Sequence, residues 1–367
     1  MYKLEELISI AKRENNIKRN YLIVNKFQGK HVPVNPQDTF CLFEDLSNIL
    51  KGKYLKENIL IIGFAETATA IGAYLAVKLN TYCIQTTREN IDKAQYLFFS
   101  ETHSHAVQQK IVKNHIDGII NKIDRIIFAE DEITTGNTIL NAINKINETY
   151  GKKLKFSVIS ILNAMNNDNI KEYSKRKIDI YYILKINNEK YPEIAEKYYA
   201  DGKYVSADEN DYKINVNYTE FKNRVDTRCL TTGSEIIDSF EKFYHEWKNK
   251  FDFEKNKKIL ILGTEEFMFL PLYIGSKLKN AGCDVKCHAT TRSPIDVSQS
   301  TDYILNSRYE LVSLYDDNRK TFIYNLDKYD RVYIITDAYS LSRKGLNTII
   351  NALCTCGNKD IDVIRWC

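Results

Sequence analysis

At 367 residues the chain is long enough for two domains of ordinary size, and a hydrophobic content of 44% supplies a core for each. Its 52 Lys and Arg against 48 Asp and Glu leave a net charge of +4, too balanced to argue for nucleic acid or an anionic membrane as partner. No window approaches 18 uncharged apolar residues, and the start, Met1-Tyr-Lys-Leu-Glu-Glu6, has no signal-peptide core, so a soluble, cytoplasmic protein is expected. Eight scattered cysteines read as reduced thiols. Cys283, Cys287, Cys354 and Cys356 fall in the same half, but C-x3-C and C-x-C are weak zinc spacings.

Residues 1–20 read as an amphipathic helix with a basic end, followed by a strand at Tyr21–Val24 and a turn at Lys26–His31. Pro33 and Pro36 are expected to keep the next residues extended before a helix over Phe40–Leu50. Lys30 and His31 sit beside a glycine, either as a surface turn or within reach of an anionic or heterocyclic substrate. A buried strand at Asn58–Gly63, a small-residue loop, a helix over Ala70–Leu79 and a strand at Tyr82–Gln85 begin a parallel α/β sheet.

Further on, Ile126–Ala129 reads as a buried strand that ends in two acids, Glu130 and Asp131. The turn Thr134-Thr135-Gly136 and a helix over Thr138–Ile146 follow. Free amides and the dipole at a helix N-terminus favour an anion, and glycine lets the backbone come close to it. Carboxylates suit a neutral diol or a magnesium-bridged group beside the phosphate, so the pattern points to a phosphorylated sugar. The plainer alternative is a strand-turn-helix with a solvated acidic turn. Ligands of parallel sheets bind at the carboxyl ends of strands. That rule places Ala65-Glu66-Thr67, Thr86-Thr87-Arg88 and Glu130–Thr138 on one rim, where the Arg88 fork matches phosphate oxygens. Between them lies the polar stretch Phe98–Ala106 with His103 and His105, which suit acid–base work, a metal-binding H-x-H pair or a plain surface.

An internal repeat runs through the chain. Ile59–Gly63 returns as Ile259–Gly263, Glu66 as Glu266, and Thr86-Thr87-Arg88 as Thr290-Thr291-Arg292. Arg125 and Asp131 return as Arg331 and Asp337, and Asn137–Ile143 as Asn347–Leu353. The second copy has Thr336 in place of Glu130 and has lost the glycine turn. Two tandem parallel-sheet lobes are therefore expected, the second a degenerate copy whose Thr291, Arg292 and Ser293 either form a further anion site or are remnants. The domain limits read as 1–202, a linker over 203–257 and 258–367. The linker carries a helix over Ser234–Trp247 whose apolar stripe suits core packing.

The acid pair followed by Thr-Thr-Gly resembles the 5-phosphoribosyl-1-diphosphate (PRPP) loop of type I phosphoribosyltransferases. The resemblance implies that Glu130 and Asp131 hold the ribose hydroxyls, with magnesium partly bound through PRPP. It gives the 5-phosphate to Thr134, Thr135, Gly136, Asn137 and Thr138, and the pyrophosphate to Ala65, Glu66, Thr67 and Arg88. It also makes the segment with His103 and His105 a closing hood that steadies the leaving group. Gly63–Thr69, Glu101–Ala106, Asp131–Thr138 and Thr291-Arg292-Ser293-Pro294 occur together, a set similar to the phosphoribosyltransferase–TRSP proteins found near bacterial tellurite-resistance genes. That family implies PRPP-dependent transfer of ribose 5-phosphate to or from a nucleobase-like acceptor in nucleotide-like metabolism. Its second lobe would be a partner in a pseudo-dimer, and a homodimer is compatible with the pattern. A binding protein for PRPP or a nucleotide, without turnover, is the alternative.

Overall fold

Runs such as Ile59–Ile62, Ile126–Ala129 and Val332–Ile335 are apolar at every position, as strands buried on both faces must be. In the computed structural model, which describes residues 2–17, 19–99, 109–206, 216–252 and 255–367, each is the middle of a parallel sheet. The chain starts with a one-turn helix α1 (Leu4–Leu7) that runs into β1 (Ile8–Lys12), paired antiparallel with β2 (Tyr21–Asn25). Then come α2 (Pro36–Leu50), β3 (Ile59–Gly63), α3 (Thr69–Leu79) and β4 (Tyr82–Gln85). A hairpin of β5 (Tyr96–Phe99) and β6 (Gln109–Val112) and a short α4 (Lys113–Asp117) follow. The alternation resumes with β7 (Arg125–Ile133), α5 (Asn137–Tyr150), β8 (Lys155–Asn163), α6 (Asn167–Lys175) and β9 (Asp179–Lys185).

After α7 (Tyr191–Glu196) come β10 (Lys203–Val205), β11 (Asn217–Phe221), β12 (Thr231–Thr232) and the long α8 (Gly233–Lys250). The remainder is β13 (Lys258–Gly263), α9 (Phe269–Asn280), β14 (Asp284–Ala289) and a second hairpin, β15 (Ser307–Val312) with β16 (Lys320–Tyr324). β17 (Arg331–Thr336), α10 (Arg343–Thr355) and β18 (Ile361–Trp366) complete it. The first sheet has the order β12-β4-β3-β7-β8-β9 and the second β11-β18-β17-β13-β14. Read from β4 and from β14, both run in the same sense: the first strand of the lobe second from that edge, its two later partners beyond it. The fold class is thus α/β with two lobes, the second sheet parallel throughout and the first parallel except for its edge strand β12.

The contacts divide the chain into two compact units: Met1–Phe40 with Glu189–Arg224 and Phe240–Cys367, and Cys41–Asn188 with Val225–Ser239. These limits differ from those expected at 202 and 257. Residues 203–257 are no mere linker, because β11 is the edge strand parallel to β18 and β12 pairs antiparallel with β4. The N-terminal segment is not a helix over residues 1–20 either. Ile8-Ser9-Ile10-Ala11 prefers a hairpin, in which Ile8 and Ala11 are buried and Arg13 bridges to Ile295 of the second sheet's unit. Pro36 does not extend the chain but opens α2, where its missing N–H costs nothing.

The stripe on α8 packs as core. Phe243 and Trp247 lie 5.9 Å apart, Phe243 meets Trp366 at 5.7 Å and Trp247 meets Tyr333 at 4.7 Å between ring centroids. Among the described residues no helix is long and apolar enough to cross a membrane, and no group of three or more His, Cys, Asp or Glu is placed to hold a metal ion. Trp247 is fully buried, so Trp247→Ala is expected to cost about 3–5 kcal/mol by cavity formation, read as a lower denaturant midpoint of that unit.

Candidate functional site

The site of the first lobe is set by where its strands stop. Gly63 closes β3 in register with Gln85 of β4 and Ala129 of β7. β7 continues for four more residues, paired only with β8, so Glu130, Asp131 and Glu132 project beyond its other neighbour. All three are half-buried. Gly63 also faces Gly72 of α3, where an added Cβ would come within 2.7 Å of the opposite Cα. That close approach seats the start of α3 directly behind the loop Phe64–Ala68.

Three buried hydrogen bonds hold the loop. The Ala65 amide donates to Thr86 Oγ1 (2.7 Å), the Thr86 hydroxyl donates to Gln109 Oε1 (2.8 Å), and Gln109 Nε2 donates to the Ala65 carbonyl (2.6 Å). The Ala65–Glu66 peptide is cis. Thr86, Thr87 and Gln109 are almost wholly buried, whereas Glu66, Thr67 and Arg88 stand half-buried at the rim. Sequence reading missed Gln109. It lies at the start of β6, far from Ala65 in the chain, and no local motif marks it.

The turn after the acids is equally constrained. Gly136 has φ +76°, and a Cβ there would lie 2.3 Å from the Tyr173 hydroxyl, so both backbone and packing demand glycine. Tyr173 of α6, fully buried, donates to the Gly136 carbonyl at 2.7 Å. No local motif marks it in the sequence either. Gly136 is the N-cap of α5 and brings no side chain to it; the Thr135 hydroxyl accepts from the Asn137 amide at 3.3 Å. Thr134, Thr135, Asn137 and Thr138 are half-buried around this N-terminus, which is the geometry an anion needs. His103 and His105 lie outside the described residues.

The second lobe brings Thr291, Arg292 and Ser293 together at the end of β14, but Arg292 is already engaged. Its Nε donates to Glu265 Oε2 at 2.6 Å. Lys30, expected either at the surface or near substrate, is buried in that lobe's unit, with Nζ donating to the Glu265 and Thr290 carbonyls at 2.7 and 2.9 Å.

Burial and the neighbouring Glu132 charge raise the Asp131 carboxyl from 3.8 to about 6, although Glu130 and the amides of Asp131 and Glu132 pull the other way. A folded-state value above the unfolded one means that the ionised carboxylate opposes folding. The cost is absent below about pH 4 and complete above about pH 6. Asp131→Asn is therefore expected to stabilise the ligand-free protein by about 1–3 kcal/mol at pH 7 and by nothing at pH 4, measured as thermal unfolding at the two pH values.

Residues 7–186 match the family model described as phosphoribosyl transferase, and residues 233–353 match the TRSP domain that lies C-terminal to it. None of the curated proteins matches the chain. Among solved structures it resembles the adenine phosphoribosyl transferase of Trypanosoma brucei in complex with AMP, pyrophosphate and ribose-5-phosphate (14% identity, 49% of this chain and 77% of that one, TM-score 0.37). It also resembles the Giardia lamblia enzyme complexed with 9-deazaadenine (10%, 49% and 94%, 0.36) and the Leishmania donovani adenine phosphoribosyltransferase (12%, 50% and 78%, 0.37). The two family matches follow one another in the expected order and together take in most of the sequence, so the chain belongs to the phosphoribosyltransferase–TRSP family and is a pentosyltransferase by class.

Proposed function

We propose that the first lobe transfers the 5-phosphoribosyl group of PRPP to a ring nitrogen of a nucleobase-like acceptor, or runs the reverse reaction. The observation that carries this reading is the acid-bearing end of β7 running straight into the Gly136 turn and the start of α5, whose N-cap glycine brings no side chain. A phosphate seated on the α5 amides leaves the ribose diol facing Glu130 and Asp131. The diphosphate then extends toward the Ala65–Thr67 loop and Arg88.

The C1–O bond to the diphosphate breaks and a C1–N bond forms, with the acceptor's proton passing to water. The transition state gathers positive charge on the ribose, and two carboxylates close to the diol stabilise it where it develops. Holding donor and acceptor in line supplies much of the remaining rate. The pinned Ala65 carbonyl and amide keep the pyrophosphate loop from rearranging during the step.

Two half-buried carboxylates are hard oxygen donors and too few to hold magnesium alone, which suits an ion that arrives with substrate phosphates. Glu130 and Asp131 would hold it on the protein side. When bound it neutralises the diphosphate charge.

Calorimetric titration of PRPP is expected to show magnesium-dependent binding that a folded Glu130→Ala/Asp131→Ala variant loses. Asp131→Asn should reduce PRPP-dependent pyrophosphate release about 100-fold or more while leaving the circular dichroism unchanged. A folded wild-type protein that ignores PRPP, or undiminished turnover in Asp131→Asn, would refute the assignment.

A further inference from the structure

The rim of the TRSP lobe is built on the same hydrogen bonds as that of the first lobe. The Thr86 amide donates to the Gly63 carbonyl at 2.9 Å, and the Thr290 amide to Gly263 at 3.1 Å. Thr87 N reaches the Lys110 carbonyl, and Thr291 N the Phe322 carbonyl, each at 2.9 Å. The Ala65 amide donates to Thr86 Oγ1 at 2.7 Å and the Glu265 amide to Thr290 Oγ1 at 3.0 Å. Position by position, Glu265 stands where Ala65 stands and Arg292 where Arg88 stands. The loop that would accept pyrophosphate in one lobe carries a carboxylate in the other.

That carboxylate is turned onto the arginines. Glu265 is 1% exposed. Its Oε2 accepts from Arg292 Nε at 2.6 Å and Arg319 Nη1 at 2.9 Å, and its Oε1 accepts from the Ser313 hydroxyl. Ser313 and Arg319 come from the turn of the β15–β16 hairpin, which corresponds to the β5–β6 hairpin of the first lobe. The same turn supplies Tyr315, whose hydroxyl bridges Thr264 Oγ1 (2.7 Å) and Asp337 Oδ1 (2.6 Å) across the ends of β13 and β17. This is where the connections of the sheet diverge, the place in which an open α/β fold takes its ligand. Glu265 also keeps φ at +48°, a conformation costing a non-glycine residue of order 1 kcal/mol or more. Two guanidinium groups and a hydroxyl around one pair of oxygens is the donor set of a phosphate site.

We propose that the Glu265 carboxylate is an internal anion, filling a phosphate-oxyanion site of the TRSP lobe that is formed by Arg292, Arg319 and Ser313. The lobe retains the binding apparatus of its counterpart and supplies the ligand from its own chain. The ligand class it displaces is a diphosphate or phosphate monoester. The α10 end has been closed in the same way: the Ser342 hydroxyl caps the helix by accepting from the Gly345 amide at 2.7 Å, where α5 has a bare glycine.

The assignment of pyrophosphate to this rim rests on the reading of the first lobe, which the PRPP titration of the unaltered chain tests separately. The present test uses inorganic pyrophosphate and calorimetry in an Arg88→Ala background, which weakens the first-lobe site. Arg88→Ala alone is expected to bind weakly or not at all. Adding Glu265→Ala, which restores the first lobe's residue, or Glu265→Gln, which keeps the shape and removes the charge, should tighten binding at least about tenfold. That gain should vanish on further adding Arg292→Ala. The proposal is overturned if both Glu265 variants bind no tighter than Arg88→Ala alone, or if the gain survives loss of Arg292. Misfolding of both variants that excess pyrophosphate does not rescue overturns it too, since the carboxylate would then be a structural ion pair that no outside anion replaces.

Discussion

The parallel register of three strands is the constraint on which the rest depends. Gly63 lies level with Gln85 and Ala129, so the loops after β3, β4 and β7 leave the sheet side by side. In the second lobe Gly263 lies level with Ala289, and Leu262 with Ile334, so three loops again share one rim. A slip of one residue in either pairing would turn every side chain to the opposite face and scatter these loops. Glycine at the end of the central strand matters for the same reason: no side chain stands between the sheet and the helix that follows.

At the opposite end of each sheet, charges are paired off within the fold. Arg125 is bound by Glu57 at 2.6 Å and Asp179 at 2.9 Å, with the Tyr54 ring 3.7 Å from its guanidinium carbon. Arg331 is held by Asp362 at 2.8 Å. These groups match one cation to its anions and hold strand ends together. At the upper rim of the first lobe the balance is different. Glu130, Asp131 and Glu132 are consecutive carboxylates in a half-buried place, and the proton affinity of Asp131 rises accordingly. Such crowding opposes folding and suits a site completed by a cation or a hydroxyl-rich ligand. At the TRSP rim the buried Glu265 carboxylate pairs instead with Arg292 and Arg319.

The transferase lobe was largely legible beforehand because its signals are local. Strand, acids, turn glycine and helix follow one another within fourteen residues from Arg125 to Thr138, and steric demands on each are visible in residue type alone. The rest of the rim is set by contacts distant in sequence. Gln109 reaches Ala65 and Tyr173 reaches Gly136 from other elements, and a glutamine or tyrosine in an ordinary strand or helix has no pattern to betray it. The beginning of the chain is ambiguous in sequence for a related reason. Its alternating apolar residues suit a helix or a hairpin, and the pairing of β1 with β2 decided between them.

By itself, the amino-acid order determined the α/β class, the position of the acid pair and turn, and the correspondence of residues between the two halves, since all of these depend on neighbours in the chain. Tertiary structure decided that β11 and β12 close the edges of the two sheets, that Lys30 holds the Glu265 loop, and that Arg292 spends its charge on Glu265. Each is an encounter between segments far apart in sequence. Composition and spacing can say that a carboxylate and a guanidinium exist, but only folding sets the distance on which their attraction depends.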